Sequence, residues 1–237
     1  MTEIMFAAVD PNQVVIPGIS LDIGGSNSPS DASATLRILL MMTVLSLAPA
    51  ILILMTSFTR IVIVLSFVRT ALGTQAMPPN QVIIGLSLFL TFFVMSPVFA
   101  QVNETALKPL QDGQLSQAEA IDKAAIPMKE FMAKHTREKD LALFLKYTKV
   151  EKPKTIQDIP MTVMVPAFAI SELKTAFQIG FMVFIPFLVI DMVVASTLMA
   201  MGMMMLPPVM ISLPFKILLF ILVDGWSLVV ESLLLSF

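Results

Sequence analysis

Between Val82 and Ala100 the chain reads VIIGLSLFLTFFVMSPVFA, nineteen residues without a charge. About 20 such residues cross the hydrocarbon core of a bilayer as a helix. The run has company. Ile38 to Thr59 is also uncharged, TAFQIGFMVFIPFLVI leads to Asp191, MVVASTLMAMGMMMLPP carries on to a double proline, and VMISLPFKILLFILVDGWSLVVESLLLSF follows. With 57% hydrophobic and 14% charged residues and a mean hydropathy of +0.87, the composition describes a membrane-associated protein, not a soluble core. The expected fold is all-α: four apolar helical stretches in hairpins, with a small polar helical insert.

Breakers set the expected boundaries. Residues 1–35 contain VIPGISLDIGGSNSPSDAS, whose Gly, Ser, Asp and Pro favour turns, and read as an irregular N-terminal segment. MTEIMFAAVDPNQ lacks the basic region and apolar run of a secretory signal, so topogenesis is expected to begin at the first span or the start to be mature. Residues 36–100 form a first apolar hairpin, bent if anywhere at Pro49 and broken by Gly73, Pro78 and Pro79. Whether IVIVLSFV continues the first helix past Arg60 or opens a hairpin arm is left open by the pattern. Residues 161–237 form a second apolar hairpin, hinged at a methionine loop over 199–210.

Residues 101–160 differ, holding ten of the fifteen Lys/Arg and nine of the seventeen Asp/Glu. Ser116 with Glu119 fits a capping box, and Glu119/Lys123 and Glu130/Lys134 are spaced for i,i+4 pairing. Thr136 could cap the next helix, whose Leu141, Phe144, Leu145 and Thr148 share a face. His135, between the two helices, is expected to be solvated. The short connector 60–81 holds Arg60 and Arg69 and no acid, which places it on the cytoplasmic side and the insert outside.

Several chemistries are absent. The formal charge of −2 gives no nucleic-acid footprint. There is no Cys, one His, no phosphate-binding loop and no zinc or serine-hydrolase signature, so neither a cofactor nor a resident metal is implied. Asp191 and Asp224 could in principle share a proton as in aspartic proteases, yet LVDGW lacks the glycine pattern of a membrane aspartyl site.

Charges in apolar runs need partners. Past Lys174 the only base is Lys216, facing Asp191, Asp224 and Glu231. Lys216 and Asp224 are expected two turns apart on one continuous helix, too far for direct contact. The expectation is that Lys216 bridges to Glu172, that Asp191 or Asp224 faces a polar seam, and that Arg60, Glu172, Asp191, Lys216 and Asp224 serve inter-helix or inter-subunit pairing; snorkelling at helix ends is the bland alternative.

LMAMGMMMLPPVM, Leu198 to Met210, puts six methionines around a glycine and two prolines. Three readings compete. Met fills irregular cores; thioethers bind Cu(I), which would make a copper transporter, although no Cys or His accompanies them; or flexible apolar side chains close a pore by dewetting.

Four segments, VLSLAPAILILMTSFTRIVIVLSF (44–67), QAMPPNQVIIGLSLFLTFF (75–93), VPAFAISELKTAFQIGF (165–181) and PFLVIDMVVASTLMAMGMMMLPPVMISLPFKILLFILVDGW (186–226), resemble the flagellar branch of the FliP/SctR family of type III export-gate proteins. The resemblance covers nearly the whole chain from about residue 17. Many members begin with a cleavable signal peptide, for which this sequence has no match. The resemblance implies a non-enzymatic subunit of the bacterial inner membrane and flagellar basal body. It implies a homo-oligomeric ring, usually a pentamer, joined by FliQ and FliR and by other export-apparatus and basal-body proteins. It implies a gate for unfolded flagellar proteins, sealed by Met199, Met201, Met203, Met204 and Met205 with Pro207 and Pro208. It also implies bent hairpins lifted largely out of the lipid.

Overall fold

The computed structural model describes residues 13–16, 19–22, 29–74, 77–148, 153, 155–203 and 205–237. The chain divides into two units, residues 1–49 and 50–237. In the first, β1 (Gln13–Ile16) pairs antiparallel with β2 (Ile19–Asp22), Ile16 opposite Ile19, and α1 (Pro29–Leu54) begins earlier than the hydropathy suggests. The β-branched residues of VVI and ISLD favour the extended ladder over the irregular segment expected there.

Pro49 does not end α1. The break falls at Met55–Ser57, where Thr56 Oγ1 donates to Ile53 O at 3.1 Å and accepts from Phe58 N at 3.4 Å. A hydroxyl that bonds neighbouring backbone competes with helix continuation. α2 (Phe58–Leu72) then starts afresh with Arg60 in its first turn, so Arg60 sits in a helix and not in a connector. Of the two bases used to place 60–81 by charge, only Arg69 remains near its loop.

α3 (Asn80–Val102) passes through a π turn (Asn103–Leu107) into α4 (Lys108–Gln111), so helix continues past the apolar run. α5 (Gln117–His135) and α6 (Glu138–Thr148) form the body of the polar insert. Ser116 Oγ accepts from Glu119 N at 3.4 Å and Glu119 Oε2 from Ser116 N at 2.8 Å, the predicted capping box. Thr136 does not cap α6; it ends α5, its hydroxyl donating to Met132 O at 2.7 Å.

α7 (Met161–Ala200) is one helix of 40 residues, about 60 Å long and roughly twice a bilayer core. Its internal Pro166 and Pro186 leave it one assigned element. α8 (Pro208–Leu222) and α9 (Gly225–Leu235) meet at 64° across Val223 and Asp224, so Lys216 and Asp224 do not share a continuous helix. Asp224 adopts the left-handed conformation, φ 49°, which a short polar side chain tolerates better than most and which ends α8. Among the described residues two helices, Asn80–Gln111 and Met161–Ala200, are long and apolar enough to span a membrane, or three if the bent α8–α9 pair counts as one.

Among the described residues two cores hold the second unit. Ile61, Val64, Leu65 and Val68 of α2 present one face at helical spacing to Ala176 and Phe187 of α7, Phe220 of α8 and Val229 of α9. Nearer the insert, Met95, Phe131, Met132, Met164 and Phe168 join α3, α5 and α7. The insert is thereby tied to one end of α7, and Leu141, Phe144 and Leu145 of α6 pack on the same cluster. The methionine segment lies at the other end.

Candidate functional site

The turn joining α7 to α8 is built by its glycine. Met203 N donates to Leu198 O at 3.0 Å and Gly202 N to Met199 O at 3.0 Å, with Gly202 at φ 75°. This pair of bonds around a left-handed residue is the Schellman ending of a helix, which glycine adopts without Cβ strain. Pro207 and Pro208 then start α8, where a missing N–H goes unnoticed.

The side chains on this turn face outward from the chain. Met199 is 60% exposed, Met201 61% and Met205 98%; Met203, Leu206, Val209 and Met210 are exposed as well. Met204 lies outside the described residues. An apolar patch of this size on a polypeptide surface marks a contact with something else.

Below the turn the two arms are pinned by charge. Asp191 lies ten residues before Met201 and Lys216 eight after Pro208, about 15 and 12 Å along their helices, so the carboxylate and ammonium meet at one level. Lys216 Nζ donates to Asp191 Oδ2 at 2.6 Å, and Ser212 Oγ donates to Asp191 Oδ1. Lys216 is 2% exposed and its Nζ lies 3.8 Å from where a Gly73 Cβ would stand, beside the C-terminal turn of α2. Cations there complement the helix dipole.

Glu172 stands 19 residues up α7 from Asp191, about 28 Å away, beyond any reach of Lys216. Within the chain, then, the expected Lys216–Glu172 bridge does not form, and the charges make two separate pairs instead. Glu172 is wholly buried and pairs with Arg60: Nε to Oε2 is 2.8 Å, and Nη2 bonds Oε1. Arg60 Nη1 also donates to Ser236 O at 2.6 Å and Ser236 Oγ at 2.9 Å, and its Cζ lies 3.9 Å from the Phe237 ring centre. A planar, forked guanidinium suits this combination of bidentate and stacked contacts.

A third cluster docks the insert. Asp140 of α6, buried, pairs with Lys174 and accepts from Ser171 Oγ at 2.9 Å, while Arg137 reaches Gln178 Oε1 at 2.6 Å. The Lys174 bond, and after it the Ser171 hydroxyl, hold the Asp140 carboxyl below the ordinary aspartate value against its burial. His135 is half-buried, not solvated: it packs between the Phe131 and Phe237 rings, with Nδ1 2.8 Å from Phe131 O and Nε2 3.1 Å from Phe237 O. Lys134 donates to Phe237 O at 2.8 Å, and no Glu130–Lys134 or Glu119–Lys123 salt bridge forms among the described residues.

Sequence reasoning named the five charged residues; within the chain four of them pair as Arg60–Glu172 and Asp191–Lys216, so that Asp191 faces a polar seam with Ser212. It missed Ser212 and Ser236. The signal for Ser212 is its i,i+4 spacing to Lys216 on an otherwise apolar helix; Ser236 carries no local signal. Asp224 is exposed and has no side-chain partner among the described residues, and does not meet Asp191.

These features define a class: a helical membrane protein with a polar helical insert at one end, an exposed methionine turn at the other, and ion pairs bracing the long helices between. The family model described as FliP family matches residues 41–233, and the chain belongs to that family. It is 70% identical over 217 residues to the flagellar biosynthetic protein FliP of Bacillus subtilis (strain 168), across 92% of this chain and 98% of that one. It is 56% identical to the protein of that name from Pectobacterium carotovorum subsp. carotovorum, across 89% and 82%, and 50% identical to that of Aquifex aeolicus (strain VF5), across 94% and 92%. Family membership carries flagellum biogenesis, protein export and membrane association.

Proposed function

We propose that this chain is a core subunit of the flagellar type III export gate in the bacterial inner membrane, within the basal body. Copies form a ring, a pentamer in the family it resembles, and with FliQ and FliR line the route by which unfolded flagellar proteins cross. The polar insert over 101–160 lies on the extracytoplasmic side, and lipid or partner helices cover the apolar faces. Met199, Met201, Met203, Met204 and Met205 converge around the axis and close the route by excluding water. The subunit is a structural transport component, not an enzyme.

The observation that carries the reading is a row of methionines exposed at the tip of a rigidly ended hairpin. A core-filling role would bury them. A dewetting seal needs apolar side chains at a free surface that converges by symmetry, and unbranched thioethers can yield to passing chains and close again. Family membership favours this over Cu(I) transport.

The test is leakage of ions and small solutes through membranes of cells carrying the assembled gate with Met203, Met204 and Met205 replaced by alanine. A leak in the variant alone, with assembly intact, supports the seal. An equally tight, exporting variant would make the methionines ordinary packing.

A further inference from the structure

The chain has no cysteine and 19 methionines, so a two-electron oxidant finds its most reactive atoms in thioether sulfurs. Those sulfurs are not equally reachable. Met95, Met132 and Met164 are wholly buried in the core that joins α3, α5 and α7. Met199, Met201, Met203 and Met205 are exposed on the α7–α8 turn, Met205 almost completely. A plug that separates two aqueous sides borders water at both mouths, so convergence of several copies still leaves the outermost of these sulfurs within reach of small solutes.

The turn has little to offer a new polar group. The N–H groups of Met201, Gly202, Met203 and Leu206 already donate to Thr197 O, Met199 O, Leu198 O and Met203 O, and Pro207 and Pro208 have none. The hydroxyls of Ser196 and Thr197, the nearest in sequence on α7, donate to Met192 O and Val194 O. That of Ser212 on α8 donates to Asp191. An oxygen added to sulfur here therefore draws its hydrogen bonds from water, which is what a dewetted constriction has to exclude.

We propose that Met199, Met201, Met203 and Met205 form an oxidation site at which a hydroperoxide converts thioether to sulfoxide and wets the seal. The sulfur lone pair attacks one peroxide oxygen; the S–O bond forms as the O–O bond breaks. The proton of the oxygen now on sulfur passes to the departing oxygen, which leaves as water or an alcohol. Sulfur loses two electrons and the peroxide gains them. A pliable apolar side chain becomes a polar, chiral one at the place where apolarity does the closing. The inference rests on the reading of the turn as a seal, and it adds that an oxidant breaks the membrane's tightness to ions at this point.

The test uses membrane vesicles from the native cells, carrying the assembled gate and treated with hydrogen peroxide. Peptide mass spectrometry is expected to find sulfoxide at the four turn methionines about tenfold or more ahead of Met95, Met132 and Met164. Ion leak should rise several-fold as that sulfoxide accumulates. A variant with all four replaced by leucine keeps the apolar bulk and loses the sulfur chemistry, so its leak should not rise on peroxide, whatever its resting level. Turn methionines that stay reduced in the assembled gate, or that become sulfoxide without added leak, would overturn the proposal. So would a peroxide-induced leak of equal size in the leucine variant. Alanine at Met203, Met204 and Met205 separates the two readings. A leak there with none on oxidation removes this inference alone, and a tight membrane in both cases removes the seal on which it rests.

Discussion

Arg60 and Glu172, 112 residues apart in sequence, form a two-pronged ion pair between the first turn of α2 and the long helix α7, with both side chains out of contact with solvent. Such a pair contributes little net stability against an apolar replacement, because both ions lose their water. Its removal by halves is another matter. Glu172→Gln strands a buried guanidinium, and a loss of about 3–5 kcal/mol is expected. Thermal unfolding of the purified protein in detergent should show a clear drop in midpoint, with Arg60→Met plus Glu172→Leu recovering most of it. Equal stability of Glu172→Gln and the parent would contradict the geometry.

The two pairs also predict which charge swaps work. Asp191→Lys with Lys216→Asp should restore the assembly that either single substitution lowers, since both groups stay at one level of the α7–α8 hairpin. Glu172→Lys with Lys216→Glu should restore nothing, because about 28 Å of α7 lies between the two sites. Native-gel yield of the complex distinguishes the two doubles.

How much of this was legible in the sequence depends on range. Uncharged runs, the Ser116–Glu119 box and the breaks at Gly73 and Gly202 declare themselves within a few residues, because backbone satisfaction is a local matter. The pairing of Arg60 with Glu172 is set by how α2 crosses α7, which no local pattern encodes, and so this pair within the chain was not foreseen. The α8–α9 break was missed for a different reason: Asp224 takes a left-handed conformation that asparagine and aspartate adopt without advertising it. The expected solvation of His135 failed because Phe237, more than a hundred residues on, covers it.

That α2–α7 crossing is tight at Gly180. A Cβ on Gly180 would stand 2.6 Å from both Cγ and Cδ2 of Phe67, close to the base of a ring that cannot swing away cheaply. Gly180→Ala should therefore push the helices apart, with a loss of about 1–3 kcal/mol despite alanine's better helix propensity. Pairing it with Phe67→Leu is expected to recover part of the loss, measured as the unfolding midpoint of each variant.

Asp140 makes the docking of the insert sensitive to acid. Its carboxyl is held below the ordinary 3.8, first by Lys174 and then by Ser171. A depressed carboxylate lends stability that is fully present above the unfolded value and is lost as pH falls through the folded one. Limited proteolysis between α5 and α6 should accordingly be constant from neutral pH down to about 4 and rise below it. In Asp140→Asn the cleavage should be faster at neutral pH and respond less to acid.

The methionine turn is set by backbone geometry as much as by its side chains. Gly202 sits at φ 75° with nothing within 4 Å of a prospective Cβ, so an alanine there meets no clash and suffers only the left-handed penalty of about 1–2 kcal/mol. Gly202→Ala should leave assembly of the purified complex nearly unchanged, since Asp191, Ser212 and Lys216 still clamp the arms below. The Schellman bonds from Gly202 N and Met203 N are expected to loosen, and the methionines would lose their common register. Cells carrying this variant should then leak ions although every methionine is present, whereas Gly202→Asn, which tolerates the left-handed region, should leak less. A tight Gly202→Ala membrane would show that the side chains seal without help from the turn that presents them.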